Sequence, residues 1–159
     1  INFNGKALLV LGLVLVLGIV FGEHRARRLA LGAVIGFVIA DKLGGSVYNY
    51  LLNQSWGKSI SLAVVQITLL IFFTLLMALG HNEEAGRGKI SIKLIILSLL
   101  TAVFELACII GFLPNDQRTR LVTDYNIAAL VFSLQYVWLL ATALWLAILN
   151  FWPKPDKKK

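Results

Sequence analysis

The chain has 159 residues and a net charge of +7, and hydrophobic side chains make up 58% of it whereas charged ones make up only 14%. Ordinary soluble domains are about 45–50% apolar, so this composition argues against a soluble domain and indicates an integral membrane protein. The basic residues lie in short clusters between apolar runs, which positive-inside topology explains without a nucleic-acid partner.

The predicted fold is all-α and polytopic, a single helical transmembrane domain over 1–159 with five spans, or four as the alternative. The predicted spans are 3–22, 29–47, 60–80, 94–113 and 126–152. A helix of about 20 residues crosses a bilayer core of about 30 Å. Short polar loops separate the spans, and a basic tail follows the last one.

The first apolar run ends at Gly22 and is followed by the basic turn Glu23-His24-Arg25-Ala26-Arg27-Arg28. A cleaved signal peptide would carry its basic residues before the apolar core. Here the basic cluster follows the core, so a retained spanning helix is favoured.

The second run carries a ladder of small residues. Small side chains recur at every fourth position, at Gly32, Gly36, Ala40 and Gly44. Such a stripe lets the backbone of another helix approach closely, since lipid provides no hydrophobic drive for helix association. The ladder therefore predicts a helix-packing face, although glycine is also simply frequent in membrane helices.

The end of the second span is ambiguous, because Asp41 and Lys42 interrupt the run. We expect the helix to end near Leu43, at the membrane interface, with aromatic residues beyond it. In the alternative, the helix continues through 47–52 with the charged pair partly buried.

The third run, 60–80, spans without a charged residue. Its Gln66 is predicted to form an interhelical hydrogen bond, worth about 1 kcal/mol in a membrane. The loop after it places His81 close to two glutamates. One histidine and two carboxylates make a poor ligand set, so no metal site is expected.

The fourth run, 94–113, contains one charged residue. Glu105 is the twelfth of its twenty residues, so the acid falls near mid-membrane. Ser98, Thr101 and Cys108 lie at helical spacing from it, which predicts one shared face. An acid at this depth usually faces a protein interior or a water-filled cavity. The candidate intramembrane polar site comprises Glu105, Thr101, Ser98, Gln66 and Gln135.

Two interpretations of Glu105 stay open. An ionised, unpaired carboxylate in hydrocarbon would cost several kcal/mol, so the acid should be protonated, paired or hydrated. In the structural interpretation, a neutral acid bonds to Thr101, Gln66 or Gln135 and holds the bundle together. In the functional interpretation, Glu105 is a proton or cation site of an ion-coupled transporter or motor.

The fifth run, 126–152, carries three tryptophans on one predicted face. They are Trp138, Trp145 and Trp152, which recur every seven residues. This spacing is typical of a lipid-facing or packing stripe, and the alternative is a docking face for a partner helix. Gln135 and Thr142 share the neighbouring face and could bond toward the helix that carries Glu105.

The distribution of basic residues predicts the orientation. With five spans, ten basic residues fall on one side of the membrane and five on the other. The positive-inside rule then places the N-terminus outside and the C-terminus in the cytoplasm. The basic tail, 153–159, would lie beside anionic lipid.

The first half of the chain resembles the colicin V production protein family of small bacterial inner-membrane proteins. The resemblance lies in the short apolar first helix, the basic turn 22–28, the segment Val47-Tyr48-Asn49-Tyr50-Leu51 and the long third helix. It implies an envelope accessory protein of the bacterial inner membrane rather than an enzyme.

No local motif for catalysis, phosphate binding or a cofactor is present in the sequence, so we expect no catalytic residue and no cofactor. The sequence favours a non-catalytic accessory or structural subunit that packs with other membrane proteins or with itself. The alternative is an ion- or proton-coupled transport or motor component that works through Glu105, and a membrane enzyme ranks last.

Overall fold

The computed structural model describes residues 3–54, 59–79 and 91–151, with side chains from residue 22 onward. These ranges contain helices and short turns and no strand. The predicted all-α class is therefore confirmed for the described part of the chain.

Helix α1, Phe3–Leu52, is broken at Gly22, where φ is 80° and ψ is 171°. A side chain at this positive φ would be strained, so glycine permits the break. It divides α1 into α1a, residues 3–21, and α1b, Gly22–Leu52. The basic turn predicted between the first two spans is thus reduced to one residue, and the basic cluster is helical.

The predicted end of the second helix near Leu43 is wrong, because α1b continues to Leu52. Asp41 and Lys42 do not interrupt it, since they form an exposed ion pair of 3.0 Å and bury no charge. The 31 residues of α1b extend over about 46 Å, more than a bilayer core of about 30 Å. A spanning α1b therefore projects beyond the core.

Helix α2, Leu62–Leu79, runs antiparallel to α1b, and α3, Ile92–Phe112, runs parallel to it. Both match their predicted spans to within two residues. Ser91 caps α3, since its hydroxyl accepts a hydrogen bond from the Leu94 backbone N–H at 3.2 Å. A serine there satisfies an amide that the first helical turn leaves unpaired.

The region after α3 differs from the prediction. The polar segment after Pro114 is not a loop but a helix, α4, Asn115–Asp124, with no buried residue. Arg118 attaches it to α3, since its guanidinium donates to the Gly111 carbonyl oxygen at 3.2 Å. The same guanidinium lies 5.3 Å from the ring centroid of Phe132.

The predicted fifth span is divided into α5, Asn126–Ser133, and α6, Gln135–Phe151. The two helices are bent by 60° at Leu134. Helix α6 runs antiparallel to α3, with Leu149 beside Leu94 and Gln135 beside Gly111. No proline or glycine marks this bend.

Helix α3 forms the centre of the bundle. On one side it packs against α1b, through Phe37, Phe104 and Cys108. On the other it packs against α5, where Ala128 and Val131 contact the segment 106–110. Helix α2 contacts mainly α1b and lies at the outside.

Three described helices, α1b, α2 and α3, are long and apolar enough to cross a membrane. The number becomes four if the bent α5–α6 pair is one span. Together they confirm the coarse prediction of a helical membrane protein, whereas five spans and the orientation of the termini stay predictions. The backbone of residues 3–21, helix α1a, is helical over nearly the whole of the first predicted span, 3–22.

Candidate intramembrane polar site

Glu105 is buried well inside α3, with 9% of its surface exposed. It is the fourteenth of the 21 residues of α3, so about two turns separate it from the nearer helix end. Ser98, Thr101 and Cys108 are buried as well. Helical spacing puts the four on one face of α3.

Thr74 of α2 lies level with Glu105, because Ala78, one turn from Thr74, and Ala102, one turn from Glu105, are buried together beside Leu29 where α2 meets α3. Gly32 of α1b allows α2 to come this close, since a Cβ built on Gly32 would lie 3.0 Å from both the Thr74 Cα and its carbonyl oxygen. Glu105, Thr74 and Gly32 thus mark the meeting point of α3, α2 and α1b. We call these three residues the Glu105 junction.

The hydroxyl groups near Glu105 are already engaged with backbone carbonyls. Thr74 Oγ1 donates to the Leu70 oxygen at 2.9 Å, and Thr101 Oγ1 donates to the Leu97 oxygen at 2.8 Å. Such bonds to the preceding turn are usual for threonine in membrane helices. The Glu105 Oε1 atom has no hydrogen-bond partner among the described residues, and neither has Ser98 Oγ.

The ion pairs of the described residues lie away from the junction. Arg27 pairs with Glu23 in the first turns of α1b, and Lys42 pairs with Asp41. Asp41 and Lys42 therefore neutralise each other's charge, and neither of them pairs with Glu105. Within the described part of the chain, no basic side chain neutralises Glu105.

Two predicted members of the polar site lie on other helices. Gln66 Nε2 donates to the Ala40 carbonyl oxygen at 3.4 Å, within the contact between α2 and α1b. Gln135 lies beside the last turn of α3, where its side chain is 3.1 Å from a Cβ built on Gly111. Gln66 thus bonds to Ala40 rather than to Glu105, and the five-residue site stays a prediction.

Sequence reasoning missed Thr74 as the neighbour of Glu105. Its position in the third run was visible, but threonine is common in apolar runs. It therefore did not indicate which residue of α2 lies beside Glu105 of α3. The contact follows from the packing of α2 on α1b, which no local pattern specifies.

The ladder of small residues faces α2. A Cβ built on Gly36 would lie 2.9 Å from the Leu70 carbonyl oxygen, and one on Gly44 would lie 2.6 Å from Gln66 Cγ. Ala40 is fully buried in the same stripe. Helix α2 thus lies against the α1b backbone along Gly32, Gly36, Ala40 and Gly44, so the ladder occupies a helix contact inside the chain.

Two of the three predicted tryptophans pack within the bundle. Trp138 lies against the apolar clusters around α3, and its buried Nε1 has no hydrogen-bond partner among the described residues. Trp145 Nε1 donates to the Lys93 carbonyl oxygen at 3.3 Å. Thr142 of the same helix donates to the Trp138 oxygen at 2.8 Å. Trp152 lies outside the described residues.

A buried carboxyl beside hydroxyl groups has limited chemistry. It can hold a proton and bond two helices together, or bind and release a proton or a cation. Across the described ranges, no three His, Cys, Asp or Glu side chains are grouped so as to hold a metal ion.

Comparison of the chain with protein families, with characterised proteins and with solved structures found no match. The resemblance of the first half to the colicin V production protein family therefore stays a prediction.

Proposed function

We propose that this chain is a non-catalytic, multi-pass membrane protein that acts as an accessory or structural subunit by packing with other membrane proteins. The observation that carries the proposal is the outer face of α2. Helix α2 packs on α1b through one face and leaves the opposite face without a partner within the described chain.

The outer face of α2 is made of Thr68, Phe72, Leu75 and Leu76, and all four side chains are exposed. Large apolar side chains alone would suit lipid equally well. Thr68 lies among them near the middle of the helix, and hydroxyl side chains favour helix–helix contacts in membranes, where they bond across the interface. This combination supports a second membrane helix as the occupant.

The proposal includes a location and an orientation. The chain would lie in the bacterial inner membrane as an envelope protein, with its N-terminus outside and its C-terminus in the cytoplasm. Arg25, Arg27, Arg28 and Lys93 support this, because the parallel course of α1b and α3 brings them to one end of the bundle. The basic tail would contact anionic lipid on that side.

The proposal is tested by purification of the native protein in mild detergent with determination of the particle mass. A stable, stoichiometric complex with another membrane protein, or a defined self-oligomer, is expected. A monomer that keeps only lipid would contradict the proposal.

Site-specific cross-linking then tests the face. With Cys108, the one cysteine of the chain, replaced by alanine, a Leu75→Cys variant carries a photo-reactive thiol probe on the outer face. Leu70→Cys is the matched control, because Leu70 is buried on the opposite face of α2. We expect a protein adduct of fixed mass from position 75 alone. Equal labelling of both positions would contradict the assignment of the outer face of α2 as the contact with another protein.

A second candidate function is an ion- or proton-coupled transport or motor component that uses Glu105. The specific observation in its favour is the buried Oε1 atom without a partner, since intramembrane acids often mark proton or ion routes. Proteoliposomes with the wild-type protein and the Glu105→Gln variant test it. Proton-dependent flux that Glu105→Gln abolishes would favour this candidate, whereas no flux from either would oppose it.

A further inference from the structure

We propose that Glu105 is a proton-binding site whose bound proton forms an interhelical hydrogen bond, donated by the carboxylic acid of α3 to Thr74 Oγ1 of α2. The proposal concerns the chemical state of this junction. It holds whichever partner or transport role the whole chain has.

The direction of the bond follows from the protons that are available. A threonine hydroxyl has one proton to donate and lone pairs that accept. Thr74 Oγ1 donates its proton to the Leu70 carbonyl oxygen at 2.9 Å. Only its lone pairs are left for Glu105, and a carboxylate facing them would bring two acceptors together. A carboxylic acid instead supplies the missing proton.

Other donors do not replace that proton. Thr101, one turn before Glu105, donates to the Leu97 carbonyl oxygen. Ser98 lies two turns away, about 10 Å along the axis, which is beyond hydrogen-bonding reach. Cys108, on the same face, carries only a thiol, which is a weak donor.

The helices around the junction bring no compensating charge to it. Helices α2 and α5 contain no ionisable side chain, and the only one of α6, Tyr136, is exposed. On α3, the ionisable residues besides Glu105 are Lys93, at the helix start, and the thiol of Cys108.

Helix α1b carries its charges near Gly22 and at the exposed Asp41–Lys42 pair. The charge of that cluster nearest to Gly32 in sequence is Arg28, whose guanidinium lies 3.3 Å from His24 Nε2, toward the helix start. A neutral acid avoids the cost of an unpaired buried carboxylate.

The bond matters because α2 and α3 share little other contact. Helix α2 packs mainly on α1b, and Ala78 meets Ala102 of α3 beside Leu29. The hydrogen bond from protonated Glu105 to Thr74 therefore links α3 to α2 directly. Loss of the proton would place a charge in an apolar junction and remove this attachment.

Infrared difference spectroscopy of the protein in lipid vesicles at neutral pH tests the proposal. We expect a carboxylic-acid C=O stretching band that shifts in D₂O and that Glu105→Gln removes. Thr74→Val should move this band, because the acid loses its acceptor, and Thr74→Ser should leave it in place. Thr68→Val, on the exposed face of the same helix, is the matched control and should leave it unchanged.

Two results would overturn the proposal. One is a wild-type protein without the acid band at neutral pH, which would show an ionised Glu105. The other is a band that Thr74→Val does not move, which would show that the proton is not donated to Thr74. The second result remains measurable if Glu105→Gln fails to fold.

Discussion

Helix α1b contacts its two main neighbours, α2 and α3, in opposite ways. Toward α2 it presents almost no side chain, so that Gly36 lies against the Leu70 carbonyl oxygen. Toward α3 it presents Phe37, whose ring meets Phe104 edge-on at 5.6 Å and stacks on Phe112 at 6.0 Å. Since lipid gives no hydrophobic drive for either contact, both depend on close packing.

Close packing between membrane helices is therefore achieved in two ways in this protein. The glycine contact brings two backbones together and allows polar atoms such as Gln66 Nε2 to reach a carbonyl oxygen. The aromatic contact fills a wider gap with large side chains and needs no polar bond. Substitutions should therefore damage the two contacts in opposite senses, by added volume in one and by removed volume in the other.

The largest effect is expected from Phe104→Ala at the aromatic contact. Phe104 is fully buried, and loss of its ring leaves a cavity beside Phe37. We expect a loss of about 3–5 kcal/mol in the free energy of unfolding. Reversible unfolding in detergent measures it, and a loss below about 1 kcal/mol would show that the site collapses without cost.

The next effect is expected from Gly36→Leu at the glycine contact. Its Cβ would lie 2.9 Å from the backbone oxygen of Leu70, which cannot move without shifting α2. We expect a destabilisation of about 3 kcal/mol. Gly45→Leu is the matched control, because nothing lies within 4 Å of its Cβ position. Equal effects of both variants would contradict the close contact.

A smaller effect is expected from Gln66→Leu. The substitution removes the bond to the Ala40 carbonyl oxygen and keeps a side chain of similar size. Interhelical hydrogen bonds in membranes contribute about 0.6 kcal/mol on average, so we expect a loss of about that size. The same unfolding measurement checks it, and a loss near that of Gly36→Leu would show a role beyond this bond.

The spans α2 and α3 were predictable, because Lys93 and Pro114 bound the α3 run and polar loops bound α2. The continuation of α1b past Asp41 was not, since a charge pair marks an interface but need not end a helix. The bend at Leu134 has no local signal of glycine or proline. It coincides with the packing of α5 across α3, which the sequence does not display.

The candidate site was predictable only on its own helix. Helical spacing identifies the face that Glu105 shares with Ser98, Thr101 and Cys108. Its neighbour on α2 depends on the register between α1b and α2, which the contacts of Gly32 and Gly36 set. A single sequence contains both halves of this junction without showing that they meet.

The most direct test of this account is the coupling free energy between Glu105 and Thr74. Unfolding of Glu105→Ala, of Thr74→Val and of the double variant gives it as the departure from additivity. If the acid of Glu105 donates to Thr74, the coupling should be about 1 kcal/mol, the size of an interhelical hydrogen bond in a membrane. Effects of the two substitutions that simply add would contradict it, since α3 and α2 would then not be joined at this pair.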